Sequence, residues 1–275
     1  MFKEISRLWR FIFLYLNGIV FYSRTAQESY ERHENVKRLV IVGLPRSGTS
    51  AFIRLVNNIN GVLVLYESSF SPVFVRCRRV MVNYYYEVAK QIKFLSNDNS
   101  IPLTSLYNYS FFGDKIIFDS SRYVNQQLTK GIKAADLDRV IFLVRDPRSV
   151  YTSYLKWVKD RNTAYVNTSP VKSKDVERFC AKWNKYIEYF DKYYSNDNVL
   201  VVKYEDVVTD EMVVRGEILK FLGLSQSDFI SSDALMKTDS LTKWQELLSI
   251  DEKDMIIACC GKNMRKLGYH ADVNS

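Results

Sequence analysis

The residues best suited to chemistry in this 275-residue chain lie in one short loop that follows an apolar run. Two glycines, an arginine and three hydroxyl side chains occupy eight consecutive positions, Gly43-Leu44-Pro45-Arg46-Ser47-Gly48-Thr49-Ser50. A strand, a glycine loop and a helix in this order form a phosphate cradle, because successive backbone N–H groups and the helix N-terminus point at one anion. The loop therefore predicts a phosphate-binding site. The alternative is an ordinary turn between a strand and a helix.

The residue after the second glycine separates this loop from that of the nucleoside triphosphatases. Those enzymes carry lysine in the pattern G-x-x-x-x-G-K-[ST], whereas this sequence has Thr49 there and places its cation, Arg46, inside the loop. A later apolar run ends in Arg145-Asp146-Pro147-Arg148, where a triphosphatase has a carboxylate that helps to hold Mg²⁺. An arginine at a strand end favours a second anion, so we predict a site without a metal.

Composition narrows the possible classes of function. Lys and Arg number 39 against 31 Asp and Glu, and this net charge of +8 favours an anionic partner: a nucleic acid, a membrane surface or a phosphorylated small molecule. The basic residues are scattered rather than gathered in one run, which argues against a nucleic-acid partner. With two His, and four Cys in no C-x-x-C pair, the chain has little material for a metal centre, a Ser-His-Asp triad or a disulfide framework.

The elements that must position these residues alternate between short apolar runs and longer helical patterns. Five continuously apolar runs are typical of strands covered on both faces: Leu39–Val42, Val62–Leu65, Ile116–Phe118, Val140–Val144 and Val199–Val202. Apolar spacings of three and four predict a helix from Lys174 to Tyr193, and a last helix from Asp251 to Leu267 stops at Gly268. The alternation predicts an α/β fold of three layers, a P-loop fold whose central parallel sheet of about five strands is flanked by helices.

Two parts of the chain differ in character. Residues 38–275 are predicted to form one domain, and residues 1–37 an N-terminal apolar helix and its connector. The uncharged run 11–23 has 13 residues, about 20 Å as a helix, which is short of the ~30 Å hydrocarbon core of a bilayer. We expect the segment 8–23 to lie on the body of the protein or to contact a membrane surface; a short membrane anchor and a cleaved signal peptide are the alternatives. The predicted location is cytoplasmic or membrane-associated.

The order and spacing of several short motifs resemble those of the sulfotransferases that use 3′-phosphoadenylyl sulfate (PAPS), over roughly residues 38–270. The resemblance is carried by the loop 45–49, the segment 145–153 and the motifs Lys203-Tyr204-Glu205-Asp206, Phe221-Leu222-Gly223-Leu224, Thr242-Lys243-Trp244 and Leu267-Gly268-Tyr269. The pattern is most similar to that of the tyrosylprotein and carbohydrate sulfotransferases, which also carry arginine in the loop.

The resemblance implies which residues hold the donor. The loop would bind the 5′-phosphosulfate through Pro45, Arg46, Ser47, Gly48, Thr49 and Ser50. Lys243 would approach the same group from the C-terminal part of the chain. Arg145 and Ser153 would bind the 3′-phosphate, and an arginine fork with a hydroxyl suits a phosphate dianion. Tyr204 would lie against the bound nucleotide.

The resemblance also implies catalytic roles. Glu67, which follows Arg46 by 21 residues, corresponds to a glutamate that takes the proton of the acceptor hydroxyl as it attacks sulfur. Arg46 and Lys243 would stabilise the charge that develops on the sulfuryl oxygens and on the leaving phosphate. Ser232 would steady the transferred group.

The predicted function is therefore transfer of the sulfuryl group of PAPS to an acceptor hydroxyl. A carbohydrate or glycolipid is the first choice of acceptor, a peptide tyrosine the second and a small phenol or alcohol the third. The insertions 72–112 and 159–173 are predicted to shape the acceptor pocket. Two other classes stay open: a P-loop kinase or phosphotransferase, which predicts a loop lysine and Mg²⁺, and a non-catalytic nucleotide- or glycan-binding protein on the same scaffold, which predicts loss of Arg46, Glu67 or Arg145.

Overall fold

The structure, a computed structural model, describes residues 37–65, 110–118, 138–160, 176–193, 196–229 and 238–270. Within these ranges five strands form one sheet in the order β2-β3-β1-β4-β5, and all four neighbouring pairs are parallel. The strands are β1 (Lys37–Gly43), β2 (Val62–Leu65), β3 (Phe111–Ile117), β4 (Arg139–Val144) and β5 (Val199–Lys203).

Helices cover the sheet on both faces, and side-chain caps fix several of their ends. The helices are α1 (Thr49–Asn57), α2 (Pro147–Asp160), α3 (Val176–Asp191), α4 (Tyr204–Thr209), α5 (Glu211–Leu222), α6 (Lys243–Leu247) and α7 (Ile250–Lys266). A capping box between Ser249 and Glu252 begins α7, and the left-handed Gly268 (φ 74°) follows its end. The predicted helix stop at this glycine is therefore confirmed.

Alternate residues of the central strands point to two separate cores. Val40 and Val42 of β1 pack with α2, α3 and α7 on one face, whereas Leu39 and Ile41 pack with α1, α4 and α5 on the other. Residues of β4 divide in the same way. Both faces of the central strands are therefore dry, which explains why their sequences are continuously apolar.

After β1 and after β4 the chain turns to opposite faces of the sheet. Helix α1 follows β1 on one face, and α2 follows β4 on the other. In open α/β sheets a crevice forms outside the carboxyl ends of two such strands, and ligands bind there. The fold thus places the segments after Gly43 and Val144 side by side at one edge of the sheet.

A buried tyrosine ties these two strand ends together. The Tyr186 hydroxyl of α3 is 3.0 Å from the carbonyl oxygen of Val42 and 2.9 Å from that of Leu143. Its ring packs among Phe118, Phe142 and Phe190, and burial raises the pKa of the phenol well above its ordinary value. The phenol therefore stays protonated and donates to both carbonyls as a shared hydrogen bond.

The predicted parallel sheet flanked by helices is confirmed. β3 begins at Phe111, five residues before the predicted start, so the last two residues of the predicted insertion 72–112 belong to the sheet and that boundary is wrong. The polar pair Asp114-Lys115 interrupts the apolar run in the sequence and hides the strand. The N-terminal segment 1–36 lies outside the described residues, and the division into two parts stays a prediction. No helix in the described ranges has the length and apolar character needed to cross a membrane.

The close approach of β3 to β1 gives a test of the fold. A Cβ added at Gly113 would lie far inside van der Waals contact with the carbonyl oxygen of Leu39. We expect Gly113→Ala to lower the free energy of unfolding by about 1–3 kcal/mol in urea denaturation, because backbone cannot move aside as a side chain can.

The matched control is Gly216→Ala inside α5, where an added Cβ meets only the end of the Gln226 side chain at 3.5 Å. Alanine there should raise the free energy of unfolding by roughly 0.5–1 kcal/mol, since glycine is a poor helix former. If both variants change stability equally, strand contact at Gly113 is not the cause.

Candidate functional site

The loop between β1 and α1 is closed by its own serine. Ser47 is buried, and both its backbone N–H (3.2 Å) and its hydroxyl (2.7 Å) donate to the carbonyl oxygen of Leu44. Arg46 (φ 70°) and Gly48 (φ 89°) have left-handed backbones. Gly48 caps α1 without a side-chain acceptor, so the first N–H groups of this helix are oriented toward the loop opening, as in an anion site.

The two glycines are required by close packing. At Gly43 an added Cβ would lie 2.9 Å from the Ser47 hydroxyl and inside contact with Thr49. At Gly48 it would enter the ring of Tyr204, which is buried at the start of α4. The loop backbone therefore lies directly against the aromatic ring of the residue that follows the edge strand β5.

Arg145, the first residue after β4, is the best-placed cation of the site. It is only 6% exposed. Its Nη2 donates to the carbonyl oxygen of Ser240 at 2.8 Å, its Nη1 donates to that of Arg46 at 3.4 Å, and its Cζ lies 4.2 Å from the centre of the Tyr204 ring. The Tyr204 hydroxyl in turn lies 3.3 Å from the Ser240 hydroxyl.

The charge of Arg145 is incompletely compensated. Its buried Nε has no hydrogen-bond partner, and within the described part of the chain it forms no ion pair. Burial lowers the pKa of the guanidinium, an effect partly offset by Tyr204 and by the carboxylates of Glu205 and Asp146. Arginine nevertheless stays charged in proteins. A bound anion would offset the desolvation of this cation.

Arg46 lies next to this arginine and in turn contacts Ser153. The exposed Arg46 side chain donates from Nε to the Ser153 hydroxyl of α2 at 3.3 Å, while its carbonyl oxygen accepts from Arg145. The resemblance assigned Arg46 to the phosphosulfate and Ser153 to the 3′-phosphate. In this structure the two side chains contact each other, so both assignments fit a site in which the two anion-binding parts are adjacent.

A second buried cation was missed by the sequence analysis. Lys115 of β3 is 5% exposed, and its Nζ donates to the Ser50 hydroxyl of α1 at 3.3 Å. It pairs in register with Ile41, two residues before the loop begins. The only signal in the sequence is a lysine inside an apolar strand, and that signal acquires meaning only once β3 is known to lie beside β1.

A C-terminal segment is fixed over the same edge of the sheet. The Ser149 hydroxyl donates to the carbonyl oxygen of Leu241 at 3.2 Å, and the Arg148 guanidinium lies 3.9 Å from the centre of the Trp244 ring. Arg148 is also paired with Asp146 at 2.7 Å. Lys243, the residue before Trp244, is exposed at the first position of α6.

The structure thus brings together the loop 45–50, Arg145, Ser153 and Tyr204. The predicted base Glu67 and the predicted Ser232 lie outside the described residues. Among the residues that are described, no group of three His, Cys, Asp or Glu side chains is placed to hold a metal ion.

The family model for the sulfotransferase domain matches residues 37–253, the greater part of the chain. The chain belongs to the sulfotransferase domain family. The predicted enzyme class, a PAPS-dependent sulfotransferase, is confirmed. The finer resemblance to tyrosylprotein and carbohydrate sulfotransferases stays a prediction. No curated protein matches the sequence.

Several solved sulfotransferase structures resemble this one. A sulfotransferase from Alicyclobacillus acidocaldarius has a TM-score of 0.53 at 17% identity, covering 85% of this chain and 96% of that one. Mouse sulfotransferase SULT7A1, solved in complex with PAP, has a TM-score of 0.49 at 13% identity, covering 83% and 84%. The sulfotransferase domain of the Synechococcus PCC 7002 olefin synthase has a TM-score of 0.49 at 18% identity, covering 86% and 97%. At these identities the Alicyclobacillus match supports the fold alone.

The left-handed backbone of Arg46 can be tested by two substitutions at the same position. A left-handed residue with a Cβ is strained by roughly 1–2 kcal/mol, and glycine is not. Arg46→Gly should therefore unfold at a higher urea concentration than Arg46→Ala, by up to about 1 kcal/mol in free energy of unfolding, although glycine also gains entropy in the unfolded chain. Equal stability of the two variants would contradict the left-handed geometry.

Proposed function

We propose that this sulfotransferase binds PAPS across the carboxyl ends of β1 and β4 and transfers its sulfuryl group to a hydroxyl of a carbohydrate or glycolipid. The observation that carries the proposal is a buried Arg145 that has no carboxylate partner among the described residues, next to a glycine loop and a helix N-terminus suited to an anion. PAPS has two anionic groups, a 5′-phosphosulfate and a 3′-phosphate. Two adjacent anion-binding sites match such a donor better than a ligand with one phosphate cluster.

The residues at the two sites fit the two groups of the donor. We assign the 5′-phosphosulfate to the amides of the loop 45–50 and to the side chains of Thr49 and Ser50. The Ser47 hydroxyl is used by the loop carbonyl of Leu44, so Ser47 contributes through the shape of the loop. The 3′-phosphate is assigned to Arg145, whose Nε has no hydrogen-bond partner, and to Ser153, which contacts the neighbouring Arg46.

The cations around the loop account for catalysis. PAPS supplies the sulfuryl group; the protein supplies positive charge where the leaving phosphate and the sulfuryl oxygens become more negative. Arg46, Lys115 and Lys243 are the candidates, and Lys115 is already within hydrogen-bond distance of Ser50 at the start of α1. Glu67, two residues after the end of β2, is assigned as the base that accepts the proton of the acceptor hydroxyl.

A kinase activity is less well supported. In P-loop kinases and triphosphatases a carboxylate near the loop helps to hold Mg²⁺, and a lysine follows the second glycine. Here the carboxylate at the end of β4, Asp146, is paired with Arg148, and Thr49 stands in place of the lysine. Arginine and lysine side chains lie here in place of Mg²⁺ and the loop lysine. They suit a donor whose negative charge is neutralised by side chains and not by a metal ion.

The proposal includes an acceptor class and a membrane contact. The carbohydrate or glycolipid acceptor is supported by the arginine at position 46, which resembles the loop of the carbohydrate and tyrosylprotein enzymes. A peptide tyrosine is the second candidate for the same reason. Contact of residues 8–23 with a membrane surface would bring a glycolipid acceptor close to the site.

Donor choice can be tested by heat denaturation. Adenosine 3′,5′-bisphosphate (PAP) should stabilise the protein with or without Mg²⁺, by roughly 2.7 kcal/mol at 100 times its dissociation constant. ATP should stabilise it far less, because it has no 3′-phosphate for Arg145. Protection by ATP that equals that of PAP and is abolished by a chelator would contradict the proposed donor.

The acceptor can be identified by incubation with sulfur-labelled PAPS and a panel of glycans, glycolipids, tyrosine peptides and phenols. Label should enter a carbohydrate or glycolipid, and Glu67→Gln should slow that transfer by roughly 10²–10⁴-fold, the usual contribution of a positioned base. The affinity of this variant for PAP should stay within a few-fold of the unmodified protein. Transfer to tyrosine peptides alone would contradict a carbohydrate or glycolipid acceptor. Full activity of Glu67→Gln would contradict the assignment of Glu67 as the base.

A further inference from the structure

Two motifs noted in the sequence, Lys203-Tyr204-Glu205-Asp206 and Leu267-Gly268-Tyr269, meet at the carboxylate of Glu205. Its Oε1 accepts the backbone N–H of Asp146 at 3.0 Å, and its Oε2 accepts the Tyr269 hydroxyl at 2.8 Å. The left-handed Gly268 turns the chain at the end of α7, where the Tyr269 N–H donates to the Met264 carbonyl at 2.9 Å. Tyr269 is buried in this position.

The hydrogen bond to Asp146 fixes the peptide group that carries Arg145. The carbonyl of this peptide group belongs to Arg145 and accepts from the Trp183 indole N–H at 3.0 Å. Its N–H belongs to Asp146 and donates to Glu205. Both polar ends of the group are therefore held by side chains, one from α3 and one from α4, so the peptide plane cannot rotate without breaking a hydrogen bond.

The neighbouring residue acts on the other end of the same arginine. The Tyr204 ring lies 4.2 Å from the Arg145 Cζ, so two consecutive residues contact both the guanidinium and the backbone of Arg145. We propose that Glu205, anchored by Tyr269, is a positioning residue that aims Arg145 at the 3′-phosphate of the donor. The inference rests on the proposed function, in which Arg145 binds that phosphate.

The ionisation of Glu205 makes its contribution to stability depend on pH. Burial raises the pKa of its carboxyl, although the hydrogen bonds from the Asp146 N–H and the Tyr269 hydroxyl oppose this effect. A raised pKa means that the folded state binds the proton more tightly than the unfolded chain does. This contribution to stability is present at low pH and is lost as pH rises from the ordinary glutamate range through the folded pKa. At neutral pH the ionised Glu205 therefore contributes less to the stability of the folded state than the protonated carboxyl does at low pH.

The size of the positioning effect follows from the chemistry of the lost contacts. In Glu205→Gln the side chain keeps its shape but offers one acceptor oxygen to two donors, so the Asp146 or the Tyr269 contact is weakened. One lost hydrogen bond corresponds to a change of up to about 10-fold in affinity. The affinity should decrease for ligands that contact Arg145 and should stay unchanged for ligands that do not.

The experiment compares the affinities of PAP and of adenosine 5′-phosphate, which lacks the 3′-phosphate, by calorimetry at one pH and salt concentration. Arg145→Ala should abolish most of the preference for PAP, on the order of 10²-fold, because a charge-assisted contact is lost. Glu205→Gln should reduce the preference by about 10-fold and Tyr269→Phe by about 3-fold, with the affinity for adenosine 5′-phosphate unchanged.

Glu252→Gln is the matched control, because its carboxylate also accepts a backbone N–H, that of Ser249 at 2.9 Å, but belongs to the capping box of α7. It should leave the preference for PAP intact. An undiminished preference in Glu205→Gln, or an equal loss for both nucleotides, would overturn the positioning role. An undiminished preference in Arg145→Ala would instead overturn the proposed donor site. If Glu205→Gln does not fold, Tyr269→Phe decides the question by the same comparison.

Discussion

The ring of Tyr204 lies against three separate parts of the site. It leaves no room for a Cβ at Gly48, it lies under the guanidinium of Arg145, and its hydroxyl is beside that of Ser240. A single rigid group therefore sets the distance between the glycine loop after β1, the arginine after β4 and the C-terminal segment. The chemistry proposed for the site depends on this contact, because loop and arginine belong to parts of the chain about 100 residues apart.

Two arginines three residues apart show how the fold distributes charge. Arg148 is paired with Asp146 and stacked on Trp244, so its charge is used to hold the C-terminal segment in place. Arg145 is buried to the same degree but has only carbonyl oxygens and an aromatic ring as partners among the described residues. The charge of Arg148 is paired with a carboxylate of the protein. Arg145 is also removed from water, but its Nε donor has no hydrogen-bond partner. That difference is the reason for proposing Arg145, and not Arg148, as the anion-binding group of the pair.

The parts of the fold that could be predicted are those that depend on short stretches of consecutive residues. Continuously apolar strands, the glycine loop and the glycine after α7 each carry a signal within a few residues, and each is found close to its predicted place. Lys115 could not be found in this way, because its role depends on strand order, which brings β3 beside β1. The contacts of Glu205 were equally hidden, since they join residues 59 and 64 positions apart. The sequence does identify Arg145 as a cation at a strand end, but it does not show that Arg145 forms no ion pair with the carboxylates in the described ranges.

The hydrogen bond that Tyr186 shares between the ends of β1 and β4 has a consequence for selectivity. It lies in a core of aromatic rings, so the two strand ends cannot separate without opening that core. The spacing between the two proposed anion sites is thus fixed by the scaffold, and on the proposed function the protein would act toward a doubly anionic nucleotide as a rigid bivalent receptor. Once one anionic group is bound, the second site sees the other at a high effective concentration only if the ligand has the matching span. Discrimination among nucleotides then arises from the geometry of the receptor, even where the strength of each single contact is modest.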